Sequence, residues 1–335
     1  MASLWQDVVQ AINDKDLKRA EVAVARLLKN DLSEADRART LIYRARVRLL
    51  GLRPDDAMLD IREALAADEH IRQHPYTIEV LADTHFQRFE IASAGFADRQ
   101  DVIQAQAYYH QIIKEHADYE NLGWIYYQLG RIQLVANEPI QAKQSFHQGL
   151  FQPSWNKALT AYCYERLAFI AYYEERASRE ALTLIDKALH TYPADESRTW
   201  WIQAHLMRTK ILQDVDLDRA IRSARYIVGQ ASDPAYNKTT LAEALFASAE
   251  MYAKSPGYER EAISALQQFL QISRKPVGVD VTWSRAYEML GDAYFALGQF
   301  DQSMSAYQLC LQYNPYHPWE EAIARRIETL SEMKK

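Results

Sequence analysis

The chain has 335 residues, 48% of them hydrophobic and 25% charged, which is an ordinary globular composition rather than a disordered one. Only 10 glycines and 10 prolines punctuate it against 21 tyrosines, too little turn material for an α/β enzyme of this size, so long helices with short connections are expected. A formal net charge of −6 disfavours a nucleic-acid partner, and no apolar run approaches the roughly 20 residues of a membrane span.

The N-terminal stretch MASLWQDVVQAINDKD has no basic start followed by a long apolar core, so no secretory signal is expected and the protein reads as soluble and cytoplasmic. Small residues then recur with packing neighbours four and seven places on, the stripe of a helix buried on one side. Ala20, Val24 and Leu27 come first, followed by Ala57, Ile61 and Ala64, then Ala105, Tyr109 and Ile112, then Ala142, Phe146 and Gly149. The second half continues with Ala181, Ile185 and Ala188, with Ala220, Ala224 and Ile227, with Ala262, Leu266 and Phe269, and with Ser303, Tyr307 and Cys310. Successive marks lie 37, 48, 37, 39, 39, 42 and 41 residues apart, and breakers such as His74-Pro75, Pro193, Asp233-Pro234, Pro276 and Asn314-Pro315 fall between the units.

Each mark is preceded by a second helical pattern, so the repeating unit is a helix pair. Leu129-Gly130 and Leu290-Gly291 place a glycine where a partner helix can lie close, and Leu81-Ala82 and Leu167-Ala168 are near variants. The third unit carries an insertion. It is read as two helices each extended by a turn, or as a loop presenting Phe96. The sixth pair departs from the pattern, because Arg208 stands where a small residue is expected and its inward face has no secure register.

The last pair, SRAYEMLGDAYFALGQFDQSMSAYQLCLQYNP, is the clearest. Its order of Leu290-Gly291, Tyr294, Tyr307 and Pro315 resembles the tetratricopeptide repeat. That resemblance implies an all-α fold, a right-handed α-solenoid of about eight helical hairpins. The repeats are expected near 1–34, 38–71, 75–117, 123–156, 161–194, 200–234, 242–276 and 284–317. Residues 319–335, with Trp319, Ile323, Ile327 and Leu330 on one stripe, are expected to form a C-terminal helix capping the final apolar face.

The same resemblance implies a non-catalytic scaffold or adaptor that holds a protein or peptide in a concave groove, through side chains at fixed places in each repeat. On this chain those places are Trp124, Tyr127 and Arg131, then Tyr162, Glu165, Phe169 and Tyr172. They continue with Glu243, Phe246 and Glu250, and with Arg285, Glu288, Asp292 and Phe295; Arg46 is a further candidate. Trp124, Tyr127, Phe169 and Tyr172 are expected on the groove wall, with Tyr126, Leu129, Leu167 and Ala168 buried beside them. Aromatics followed by carboxylates suggest a partner segment with apolar anchors and some positive charge. Homo-oligomerisation stays open. The alternative is a ligand- or peptide-sensing regulatory module, which in the bacterial regulators it resembles is joined to a DNA-binding helix-turn-helix; no stretch is left over for one.

No catalytic chemistry is legible. The sequence holds no Gly-rich phosphate loop, no H-E-x-x-H and no C-x-x-C, so no cofactor, metal or enzyme activity is expected. His70 and His74 share a metal-like spacing, but Pro75 ends that helix and two histidines do not fill a site. Cys163 and Cys310 read as reduced core thiols. The arginine run at 37, 39, 44, 46, 48 and 53 is scattered around a helix, which favours a solvated face over an acidic-partner patch.

Overall fold

Every second-helix triple named above is buried, from Ala20, Val24 and Leu27 to Ser303, Tyr307 and Cys310. The computed structural model describes residues 2–92, 99–152, 156–192, 198–233 and 237–332. Within them the chain is an all-α helical repeat solenoid. The first four pairs are α1 (Ala2–Asn13) with α2 (Leu17–Leu28), α3 (Glu34–Leu50) with α4 (Pro54–Ala67), α5 (Pro75–Ile91) with α6 (Arg99–Glu115), and α7 (Leu122–Val135) with α8 (Pro139–Phe151). There follow α9 (Lys157–Phe169) with α10 (Ser178–Thr191), α11 (Arg198–Val215) with α12 (Leu217–Ala231), α13 (Lys238–Ala253) with α14 (Glu259–Ile272), and α15 (Val281–Ala296) with α16 (Phe300–Tyr313). A final helix, α17 (Glu320–Glu332), packs on α16.

Contacts divide the chain into two units, Met1–Cys163 and Tyr164–Lys335. In unit 1, α2, α4 and α6 pack on α3, α5 and α7 in turn, while α1 also meets α3 and α3 meets α5; among the described residues no pair of second helices comes as close. Unit 2 repeats this with α11 against α13 and α13 against α15. Within each unit, then, neighbouring first helices form a touching layer, the layer that the repeat resemblance would place along a groove.

Five connectors share one chemistry. Each is three residues long, and its middle residue, Lys15, Leu52, Asn137, Arg176 or Gly298, has φ between 55° and 72°. The residue after it donates its N–H back into the finished helix, as Arg53 does to Arg48 O at 2.9 Å and Gln299 to Tyr294 O at 2.9 Å. Those bonds satisfy carbonyls that a helix end leaves open and reverse the chain.

Close approach within the pairs depends on glycine. A Cβ on Gly130 would lie 2.6 Å from the Phe146 ring, and one on Gly291 would lie closer still to Tyr307. In the sixth pair the connector shrinks to Asp216 alone, and the buried Thr209 hydroxyl meets Ser223 at 2.7 Å, 14 residues away. In the fourth pair Ser145 bonds Gln133 at 12 residues' separation. The sixth pair is therefore shifted by two residues, and Arg208 leaves the packing seam to bond Asp186 at 2.5 Å.

The third pair holds two 17-residue helices, longer than the 14 and 13 residues of α7 and α8, so both helices are extended. Their added turns are joined by the buried Asp101, 2.6 Å from His85 Nδ1 and 3.4 Å from Arg88. Phe96 lies outside the described residues. In α17, Ile323 and Leu330 are buried against Tyr307 and Cys310, whereas Trp319 precedes the helix and is 63% exposed, off the stripe the sequence suggested.

Candidate functional site

The first-helix layer of unit 1 begins with a run of rings. Trp5 on α1 lies 5.6 Å from Tyr43 on α3, and Tyr43 lies 5.2 Å from Tyr76 on α5. The guanidinium of the exposed Arg39 sits 4.7 Å above Trp5, and that of Arg46 sits 5.5 Å from Tyr76. A cleft of about 750 Å³ opens beside Trp5 and Arg39. Of this run only Arg46 was among the sequence candidates. Trp5, Arg39 and Tyr76 could have been found by extending the groove positions of the clear repeats into the first helices of weaker ones; Tyr43 stands one place past such a position.

Beneath that run is a buried polar cluster. Arg46 pairs with Glu79 at 2.7 Å and with Asp83; Tyr109 donates to Asp83, and Tyr119 and Asn121 donate to Glu79 at 2.5 and 3.2 Å. Burial pushes the Glu79 carboxyl up despite the neighbouring Arg46, and the Tyr109 phenol up as well. Each member has a partner, so Arg46 serves the joint between α3 and α5 and is not a free groove cation.

Further along unit 1, Trp124 is half-buried and touches Tyr127 edge-on at 5.7 Å and Tyr162 at 5.9 Å. Tyr127 is not on the wall as expected: it is only 9% exposed and packs on Phe146, while Tyr126 is the half-buried ring. Gly123, Tyr127 and Gly130 stand at i, i+4 and i+7, so Tyr127 shares the seam that Gly130 opens toward Phe146 of α8 and Gly123 toward Leu159 of α9 and the end of α8. Leu129, Leu167 and Ala168 are buried as expected. Arg131 lies over Phe86 at 4.9 Å and pairs with Glu90.

In unit 2, a π-helical turn, Ile170–Glu174, follows α9 and widens the backbone by one residue. It brings Tyr173 within 4.6 Å of Phe169 and 4.9 Å of Tyr172, with Lys210 Nζ 5.2 Å from the Tyr173 ring. Tyr173, four residues after Phe169, joins it and Tyr172 in this patch; it was missed because it stands one place beyond the groove position at Tyr172. Phe246 is half-buried against Phe269 at 5.1 Å, and Phe295 is exposed beside Phe300.

The carboxylates proposed for the groove are mostly engaged within the chain. Glu165 is buried, 3.0 Å from Arg166. Glu288 is buried between Arg285 and His317, and Asp292 accepts from Tyr307 at 2.6 Å and pairs with Arg326 of α17. The exposed Glu243 takes a hydrogen bond from Gln203, and Glu250 is half-buried. The positive charge expected of a partner thus loses its main warrant.

Other candidates resolve into structure. Arg37, Arg44, Arg48 and Arg53 pair with Glu63, Asp60, Asp56 and Glu21, so the arginine run stitches helices together and is not simply solvated. His74 accepts from Tyr76 N at 3.3 Å as the N-cap of α5. Cys163 and Cys310 are both buried, and burial pushes the Cys163 thiol up to about 12. Among the described residues no group of three or more His, Cys, Asp or Glu side chains could hold a metal ion, and no helix is long and apolar enough to cross a membrane.

Residues 284–317 match the family model described as tetratricopeptide repeat. A tetratricopeptide repeat protein from Parabacteroides merdae is similar in structure at 12% identity, with 88% of this chain and 98% of that one covered and a TM-score of 0.53. This chain is a tetratricopeptide-like helical repeat protein. The repeat protein is also similar to the apo form of the quorum sensor NprR from B. thuringiensis, at 13% identity over 92% of this chain and 87% of that one, TM-score 0.62. A human IFIT1 dimer with m7Gppp-AAAA shares 17% identity over 98% of this chain and 72% of that one, TM-score 0.56. No curated protein sequence matches the repeat protein significantly.

Proposed function

We propose that the protein is a non-catalytic scaffold or adaptor that captures an extended peptide or partner helix on the first-helix face of its units. The observation that supports this most is the set of half-buried rings on that face: Trp5, Tyr43 and Tyr76, then Trp124 and Tyr162, in unit 1. Such rings are held rigidly by their neighbours and still offer an edge to solvent, the condition for a binding anchor. Arg39, which stacks on Trp5, adds a guanidinium for a partner carboxylate. The partner of unit 1 is therefore a segment with apolar or aromatic anchors and an acidic residue.

Selection from a displayed random-peptide library tests this reading. Enriched peptides should carry spaced apolar anchors, and Trp124→Ala should weaken their binding about tenfold or more with helicity unchanged. A library that yields no specific binder, or binders indifferent to both Trp124→Ala and Trp5→Ala, would reject the reading. A sensing role, like that of the quorum sensor NprR, would add a response to capture; it predicts a change in oligomeric state when the peptide binds.

A further inference from the structure

A second groove, of about 790 Å³, lies on unit 2 between α10, α11 and α12, and includes none of the unit 1 rings named above. One end is aromatic. Trp201 and His205 on α11 pack with ring centroids 4.0 Å apart, and both meet Tyr226 of α12, at 6.0 and 5.9 Å. Tyr226 is 49% exposed, so its face is open to a ligand. The other end is cationic. Arg222 and Arg219 stand four and seven residues before Tyr226, on the same face of α12 and extending about 10 Å along its axis.

The charges there are not balanced within the chain. Arg208 is paired with Asp186 at 2.5 Å, but among the described residues no carboxylate lies within ion-pair distance of Arg219 or Arg222. Both arginines occupy the first two turns of α12, where the helix dipole disfavours cations, so the stability of α12 does not explain their position. Between the two ends, His205 Nδ1 is buried without a hydrogen-bond partner among the described residues. Burial, and then Arg208, hold this imidazole neutral, with its pKa down to about 4.

We propose that this groove binds a nucleotide, with its base stacked on the exposed face of Tyr226 beside Trp201 and its phosphate held by Arg219 and Arg222. A bare anion would use the arginines and leave the rings idle. A flat neutral ring would leave the two guanidiniums idle. Only a ligand that joins a planar ring to an anionic group about one to two helical turns away engages the whole groove, and base stacking with guanidinium contacts is the chemistry by which nucleotides are held.

The full chain is titrated with the 5′-monophosphates of adenosine, guanosine, cytidine and uridine, followed by calorimetry and tryptophan fluorescence. At least one should bind saturably below about 1 mM. The matching nucleoside and inorganic phosphate should each bind at least tenfold more weakly. Arg219→Gln with Arg222→Gln, and separately Tyr226→Ala, should weaken binding at least tenfold while circular dichroism and melting temperature stay unchanged. Absence of saturable binding by all four nucleotides overturns the proposal. So does binding untouched by both variants, inorganic phosphate binding as tightly as the nucleotides, or phosphotyrosine binding more tightly than any of them.

Discussion

Leu52, Asn137 and Arg176 hold the same left-handed turn position that Gly298 holds in the last connector, and each pays a steric cost that glycine avoids. Leu52 is 67% exposed, so its side chain packs little. Relief of about 1 kcal/mol or more of backbone strain outweighs the extra unfolded-state entropy of glycine, so Leu52→Gly should stabilise the protein by about 0.5 to 1 kcal/mol in chemical denaturation. A loss of stability would show that Leu52 packs in a way its exposure hides. His205 supplies a pH test. Its folded pKa, about 4, lies below the unfolded value of about 6.5, so between these values the unfolded chain binds the extra proton. Its contribution is therefore present above pH 6.5 and is lost as pH falls toward 4. The titratable and charged groups lining the groove with it are Asp186 and His190 on α10, Arg208 on α11 and Arg219, Arg222 and Tyr226 on α12. The melting temperature of wild type should fall more steeply over that window than that of His205→Gln, and parallel curves would contradict the assignment.

At the scale of the element, helices and their buried stripes were legible because burial repeats with the helical period, and each small residue of a second helix faces a fixed neighbour. Gly291→Ala should cost about 1 to 3 kcal/mol, since its Cβ would overlap the Tyr307 ring; an unchanged melting temperature would mean that α15 and α16 can part freely. Replacing Ile323, Ile327 and Leu330 by Asp should open the face of α16 at about 1.5 to 3 kcal/mol for each fully buried side chain, seen as aggregation or earlier melting. Less was legible at the candidate site. Tyr127 and Tyr126 exchanged roles because two glycines, not the family's groove spacing, fix which side of α7 faces α8. Tyr173 was passed over because it stands one place beyond the family's groove position at Tyr172, and the two-residue shift of the sixth pair because it comes from a one-residue connector. The carboxylates looked like groove residues because sequence cannot show that His317 and Arg326, far along the chain, return to pair with them.

At the scale of the whole molecule, each unit is built from pairs that pack on their neighbours, so a ligand on the first-helix layer reaches several hairpins at once. That is the central claim, and hydrogen exchange of the backbone amides tests it most directly, with and without a peptide selected from the library. The first helices of unit 1, α3, α5 and α7, should gain protection when peptide is present, while α2, α4 and α8 exchange as before. Protection confined to the second helices, or no change at saturating peptide, would contradict capture on the first-helix face.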